Sequence, residues 1–420
     1  MSSAVLGLHQ RTFTSLRRHR NYRLFFSGQV VSLAGSWMQN VALAWFVIEL
    51  SNSPIAVGAL AFCRFAPYTA LGLVAGSIVD RFDTRRLVMA TQAAAMVFST
   101  ALAVVVLAGV ASLPVVLVLA TLLGVAIVFD APGRQALTYE MVGPNELPNA
   151  VALNSSLLNA SRVVGPALAG LVIATLGVGV CFAVNAASFV AVLAALLLMD
   201  GSALHPAEKD RTTSLLGGVR EAFGVVAASP TLRTVLTVIA IVSTVGFNFN
   251  VVLPLLASNR LHVGAEGFGL LSASFGAGAV VGALVVATRG RASWRAFLLG
   301  TAGFGVGMLL LAPVTLPWLA GVLLFAIGVC FTMLTSNATA LVQLAAPGRL
   351  RGRAVGLYLF AFIGFAPLGG LVAGWLVDLG GTPLAFTVAG IVGLGTAAWA
   401  HVARSGVAPG APSTDTAAGA

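Results

Sequence analysis

Charge is what this chain has least of. Asp, Glu, Lys and Arg make up 9% of its 420 residues, against about 25% in soluble domains, and that deficit excludes a water-soluble globule. Lysine occurs once, as Lys209 after Glu208; without a Gly-Lys pair there is no phosphate-cradling loop, so ATP is excluded as the energy source and no cofactor is expected. Cysteine occurs three times, at Cys63, Cys181 and Cys330, always inside apolar runs and without framework spacing. A disulfide scaffold and a zinc site are both excluded. The five histidines, His9, His19, His205, His262 and His401, fall in tails, loops or span ends with no metal spacing, so neither a metal centre nor the convergent groups of a membrane enzyme are expected. Acids number 13 against 23 bases, a formal charge of +10. The bases are spread over short connections rather than clustered, which argues for orientation signals and against a nucleic-acid partner.

What fills the chain instead is hydrocarbon, 58% of all residues. A bilayer-crossing helix needs about 20 mostly apolar residues, and that template fits at 22–49, 55–79, 86–110, 113–135, 150–176, 178–199, 233–257, 266–288, 295–313, 317–343, 354–378 and 383–402. The first run follows Arg17, Arg18, Arg20 and Arg23 and exceeds signal-peptide length without a small-residue cleavage site, so it reads as a retained span. Of the 23 basic residues, Arg260 lies in a connection on one side and Arg64 and Arg162 lie inside spans; the 20 that remain share the other side. By the positive-inside rule that side is cytoplasmic and both termini are inside. The expected fold class is an all-α polytopic membrane protein with twelve helices in two six-helix bundles. Its parts are a cytoplasmic tail (1–21), a first bundle (22–199), a cytoplasmic linker (200–232), a second bundle (233–403) and a disordered tail (404–420) rich in Ser, Gly, Ala, Pro and Thr. Inside the linker, Leu216, Val219, Phe223 and Val226 fall at helical spacing within 215–228, which fits a surface helix or a plain tether.

Gly76-Ser77-Ile78-Val79-Asp80-Arg81-Phe82-Asp83-Thr84-Arg85-Arg86 packs two acids and three arginines into a connection too short to be a domain. Such charge beside a hydrocarbon-length run belongs at a membrane surface. It reads as a hinge or latch formed by Gly76, Asp80, Arg81, Arg85 and Arg86, or else as a loop that only sets topology. Asp130, near the inner end of the fourth span, has that arginine cluster as its expected partner. A weak repeat supports two halves: Gly165-Pro166 in the fifth span and Ala366-Pro367 in the eleventh put intrahelical prolines 201 residues apart (367 minus 166). The loop corresponding to the latch in the second half, 289–295, has no aspartate.

Polar groups inside hydrocarbon are costly and so face a cavity or another helix. Gln29, Ser32, Ser36 and Asn40 form one stripe on the first span. Thr332, Ser336, Thr339 and Gln343 form another on the tenth, and Ser243, Thr244, Asn248 and Asn250 gather on the seventh. These read as walls of a water-accessible path, with helix-to-helix hydrogen bonding as the alternative. Arg64 lies about nine residues into its span, roughly 13 Å deep at helical rise, and Arg162 is similarly buried in the fifth. They either give the cavity a positive potential or are neutralised structurally.

Several of these segments resemble one family. The stretch from Gly76 to Arg86, Pro132-Gly133-Arg134-Gln135-Ala136-Leu137, the run 145–150, Gly165-Pro166 and Leu350-Arg351-Gly352-Arg353 together look like the bacterial exporter branch of the major facilitator superfamily that includes enterobactin exporters and macrolide-efflux proteins. The resemblance covers nearly the whole chain. It implies the two-bundle major facilitator fold, alternating access, a latch aspartate that caps a helix of the other half, and export of a small molecule. In the fifth span the antiporter helix-packing motif appears as Ser161, Gly165, Pro166, Ala169 and Gly170, with two glycines replaced by small residues. Protons as coupling ion come from the resemblance alone. Ala120 stands four before Gly124, where many proton antiporters have arginine, and Ser36 stands where several relatives have an acid.

The expectation is therefore a non-enzymatic secondary transporter, working as a monomer in the lipid bilayer on a drug, siderophore or metabolite. Uptake by the same fold and a non-transporting receptor are the alternatives.

Overall fold

The computed structural model describes residues 13–79, 81–205, 223–289, 292–347 and 350–405. Asp80 and most of the 215–228 segment lie outside the described residues; 223–228 is helical. The elements are α1 (Thr14–Arg18), α2 (Arg20–Ser51), α3 (Pro54–Val79), α4 (Thr84–Leu107), α5 (Leu113–Leu176), α6 (Val178–Leu197), α7 (Pro230–Ile241), α8 (Phe249–Leu255), α9 (Gly264–Arg289), α10 (Trp294–Leu311), α11 (Pro317–Ala345), α12 (Arg351–Ile363) and α13 (Ala366–Ser405). No strand occurs among the described residues.

Ten helical stretches are long and apolar enough to cross a membrane, and two of them cross twice. At about 1.5 Å per residue, the 64 residues of α5 would span roughly three times the ~30 Å of hydrocarbon. The helix folds back at Gly143, whose φ of 70° and ψ of 178° suit glycine and little else. Pro144 then sits at the start of the returning helix, where its missing N–H costs nothing. The 40 residues of α13 turn in the same way at Gly380 and at Gly381, which has φ 69°. The crossings that read as 113–135 and 150–176 thus join through the turn at Gly143 within one continuous helical stretch. The crossing that reads as 233–257 is less regular: π-type turns at Val242–Gly246 and Leu256–Arg260 flank α8.

In the first half α2 packs on α5 and α6, α3 on α5, and α4 on α5 and α6; in the second α9 and α10 pack on α11, and α10 on α13. The halves meet where α9 lies along α5 and α13 along α3. Those two seams run on glycine. A Cβ on Gly58 would lie 2.7 Å from the Gly370 carbonyl oxygen, one on Gly374 2.7 Å from that of Pro54, and one on Gly269 2.6 Å from that of Pro166. Backbone therefore lies on backbone, as small residues allow between membrane helices. All these contacts belong to the end opposite the Arg81–Arg86 connection. There the apolar core is continuous across the halves, running from Met38, Val57 and Ala169 to Phe268, Leu324 and Ala373. At the arginine-bearing end, called here the basic end, the first half has a separate core built on Tyr22, Phe25, Val88, Leu137 and Leu196.

Candidate functional site

At the basic end a Cβ on Gly76 of α3, or on Gly352 or Gly356 of α12, would meet nothing within 4 Å, so at these glycines backbone does not press on backbone as it does at Gly58 and Gly370. Arg81 and Arg86 are exposed. Arg85 donates to the carbonyls of Leu196 at 2.9 Å and Leu197 at 3.2 Å, satisfying orphan acceptors where a cation also suits the α6 dipole. Asp83 N-caps α4 by accepting from the Arg86 N–H at 2.8 Å.

Several further contacts at this end tie the first half to itself. Asn21 and Asp200 exchange hydrogen bonds, Asn21 Nδ2 to the Asp200 carbonyl at 2.8 Å and Asp200 N–H to Asn21 Oδ1 at 3.0 Å. The Ser202 hydroxyl and N–H, with Arg20 nearby, hold the Asp200 carboxyl below the usual carboxylate range. Glu146 pairs with Arg18 at 2.8 Å and His19 at 3.2 Å, docking α1 over the α5 turn.

Asp130 is 6% exposed, and its partner is on its own helix. Arg134 Nε meets Asp130 Oδ2 at 2.8 Å, because residues four apart share a helix face; the expected pairing with the Arg81–Arg86 cluster is replaced by this one, and Arg85 is committed to α6. Thr91 and Gln92 of α4 donate to Asp130 Oδ1 at 3.0 and 2.8 Å. Arg134 continues to Gln29 Oε1 of α2 at 2.8 Å. Gln29 Nε2 and Gln92 Oε1 are buried with no partner among the described residues.

Two cavities meet at Arg134. One, of about 610 Å³, lies among α2 and the two arms of α5, with Phe25, Gln29, Leu147, Val151, Asn154 and Leu158 on its wall. The other, of about 250 Å³, lies inside the first half and takes Ser32, Ser36, Asn40, Arg64, Asp130 and Trp37 as lining. The α2 stripe thus faces polar space, with Gln29 on the first cavity and Ser32, Ser36 and Asn40 on the second. Arg64 donates to Asn40 Oδ1 and its guanidinium lies 5.6 Å from the Phe65 ring centroid. The Arg162 guanidinium lies 5.3 Å from the Trp37 ring. No carboxylate comes within 4.0 Å of either arginine among the described residues. Gly165 brings α5 onto the Trp37 Cβ, and Gly170 onto the backbone of Ala265 and Glu266.

In the second half the arrangement differs. Thr339 returns its hydroxyl to the Thr335 carbonyl at 2.9 Å, and Thr332 packs beneath Gly282, 3.0 Å from where a Cβ would be. Ser243 donates to the Phe362 carbonyl, and Asn248 to that of Thr244 at 2.8 Å. Ser243, Asn248 and Asn250 share a cavity of about 70 Å³ with Ala61 and Phe65 of the first half. A phenylalanine cluster missed in the sequence surrounds it: Phe247 stacks on Phe331 at 4.0 Å and meets Phe362 at 5.8 Å. Nothing local predicts it, since its members come from separate elements; the Asp130–Arg134 pair, by contrast, has a readable i,i+4 signal.

A family model described as transmembrane secretion effector, of the major facilitator superfamily, matches residues 11–410. The chain is 29% identical over 364 residues to the multidrug efflux pump Tap of Mycolicibacterium fortuitum, covering 84% of this chain and 88% of that one. It is 26% identical over 266 residues to the staphyloferrin A transporter of Staphylococcus aureus, covering 63% of this chain and 66% of that one. Macrolide efflux protein A of Streptococcus pyogenes is 24% identical, covering 72% and 76%. Among solved structures, a POT family transporter in complex with 5-aminolevulinic acid superposes with a TM-score of 0.74 at 11% identity, covering 91% of this chain and 96% of that one. A bacterial Spinster homologue, inward-facing and occupied, gives 0.72 at 15%, covering 92% and 97%. These two likenesses concern the fold. Twelve apolar crossings, two glycine-sealed seams and a match over almost the whole length agree: the chain is a multi-pass integral membrane transporter, not an enzyme, and belongs to the transmembrane secretion effector family of the major facilitator superfamily.

Proposed function

We propose that this transporter exports a small organic molecule by alternating access, driven by an ion gradient. The observation that carries the reading is the asymmetry between its ends. Backbone contacts at Gly58, Gly374 and Gly269 seal one end, while the 610 Å³ cavity lies in the basic-end part of the first half, whose core is separate there. By the positive-inside rule the basic end is cytoplasmic, so both termini are inside and the cavity is loaded from the cytoplasm. In this reading 22–199 and 233–403 rock as two units about the Thr69–Gly364 hydrogen bond of 2.6 Å, with 200–232 as the tether. Asp80, Arg81, Arg85 and Arg86 then latch the basic end when it closes, and Asp130 supports them through Arg134. Exporter relatives support the direction, and a monomer is sufficient because both halves lie in one chain.

The test is retention of a panel of anionic, neutral and cationic organic dyes in bacterial cells with and without the gene. Export lowers retention in cells that carry it. Higher retention would make the protein an importer, and no difference over a broad set of substrates would favour a receptor. Collapse of the proton gradient by an uncoupler should abolish export, and persistence would turn attention to another ion.

A further inference from the structure

We infer that the substrate class of this path is an amphiphilic organic anion, with its charged group held at Arg64 and Trp37 and its apolar body in the larger cavity. The inference rests on the transport reading above and adds the chemistry of the cargo.

The charges at membrane depth do not balance. Arg64, Arg134 and Asp130 line the 250 Å³ cavity, and Asp130 is already paired with Arg134 at 2.8 Å. That leaves one positive charge on the cavity; Trp37, which also lines it, holds the Arg162 guanidinium 5.3 Å from its ring, a second positive charge one side chain away. The second half supplies no countercharge at this depth: 267–288, 296–348 and 354–377 contain no Asp, Glu, Lys or Arg. Arg260, Glu266 and Asp378 fall outside these stretches, with Glu266 against Gly170 and Asp378 one turn beyond Gly374 at the sealed end. Two guanidiniums resting on aromatic faces keep their charge while being held in place, an arrangement that stabilises a cation without neutralising it. A cationic cargo would meet like charge in a low-dielectric space, where repulsion is strongest.

The larger cavity supplies the other half of the recognition. Its wall is half apolar, with Phe25, Leu33, Leu147, Val151 and Leu158 among its residues, and half polar, with Gln29 and Arg134 where it meets the charged cavity and Thr138, Tyr139 and Asn154 elsewhere. A volume of about 610 Å³ falls in the range of about 300–1,000 Å³ usual for drug-sized ligands. A small polyanion with no apolar part would leave that wall uncovered.

Three probes divide the possibilities: carboxyfluorescein, an aromatic polyanion; ethidium, an aromatic cation; and citrate, a polyanion without an apolar body. Energised everted membrane vesicles bearing the full chain should accumulate carboxyfluorescein well above citrate and ethidium. Arg64→Gln and Arg162→Gln, scored against membrane abundance, should each lower that accumulation by about tenfold or more, the scale of a lost charge-assisted contact, and Arg64→Lys should retain part of it. Should the glutamine variants fail to reach the membrane, the purified wild-type protein still decides: carboxyfluorescein should raise its aggregation temperature and ethidium should not. Ethidium carried as well as carboxyfluorescein, or stabilising the protein in its place, would overturn the anion assignment and leave export standing. Carboxyfluorescein transport unchanged in abundant Arg64→Gln and Arg162→Gln protein would overturn it too. Citrate matching carboxyfluorescein would remove the amphiphile. Accumulation of none of the three, with no thermal shift, would count against both the cargo and the transport reading.

Discussion

The two ends of the molecule are built from different chemistry although the same helices form them. Along α3 and α13 the sealed end uses Gly58, Gly370 and Gly374, with backbone pressed on backbone; the basic end of the same seam presents Gly76 and charged side chains to open space. Close van der Waals contact falls off within a fraction of an ångström and does not respond to salt or pH. Charged contacts in or near water are individually weak and readily exchanged. Under the proposed alternating access, one closure is made of fit and the other falls to switchable polar groups. At the basic end Arg18–Glu146 and Asn21–Asp200 each tie the first half to itself.

The sharpest way to break the comparison lies at Asp130. Asp130→Asn leaves the half-buried Arg134 against an uncharged partner; a fully buried pair would cost about 3–5 kcal/mol, and water reaching Arg134 brings the cost below that. Membrane abundance should fall strongly, while Asp130→Asn with Arg134→Gln should recover part of it; equal abundance of single and double variants would sever the coupling. Next comes the sealed end. Gly58→Leu would place its Cβ 2.7 Å from the Gly370 carbonyl oxygen, and overpacking of this kind costs about 1–3 kcal/mol. Transport should drop, and cysteines placed at the sealed end should become reactive to impermeant thiol reagents from outside; unaltered reactivity would mean that the glycine seam does not close the path.

The same substitution at the other end sharpens the contrast. Gly76→Leu meets nothing in this conformation, so its thermal stability should match wild type within about 0.5 kcal/mol, yet transport should fall if the basic ends approach during the cycle. Asp80→Asn should behave alike, with insertion preserved. Wild-type transport in both variants would reduce the Gly76–Arg86 segment to a topology signal.

How much of this was legible in the sequence follows from the range of the interactions. Span positions come from hydropathy alone, and Arg20–Ser51, Pro54–Val79 and Gly264–Arg289 lie within a few residues of the apolar runs. The α2 stripe is legible because one helix face carries it, and the structure sets it against Arg134 and Arg64. Asp130 pairs with Arg134 one turn away, and charge density alone, which favours the 81–86 segment, does not distinguish a local partner from a distant one. The Trp37–Arg162 contact and the Phe247–Phe331 stack join residues more than 80 positions apart, and no periodicity carries that information. On α11 the polar stripe turned inward on its own backbone at Thr339, an outcome that spacing cannot separate from cavity lining.

The smallest expected effect concerns Asp200, where the linker leaves the first half. Hydrogen bonds from the Ser202 hydroxyl and N–H, with Arg20 adding its charge, depress its carboxyl, so its contribution is present above the ordinary carboxylate value of about 3.9 and fades as pH falls through the lower folded value. The group is exposed, which keeps the contribution slight. The tie to Asn21 uses the Asp200 backbone N–H and carbonyl and should survive in Asp200→Asn. Thermal melts of the purified protein should therefore show variant and wild type differing slightly and constantly from pH 5 to 8, then converging below pH 4 as the wild-type carboxyl is protonated. A gap that persists undiminished in acid would place the effect of the substitution in packing or in the backbone tie, and would remove charge from the account of how the basic end holds its linker.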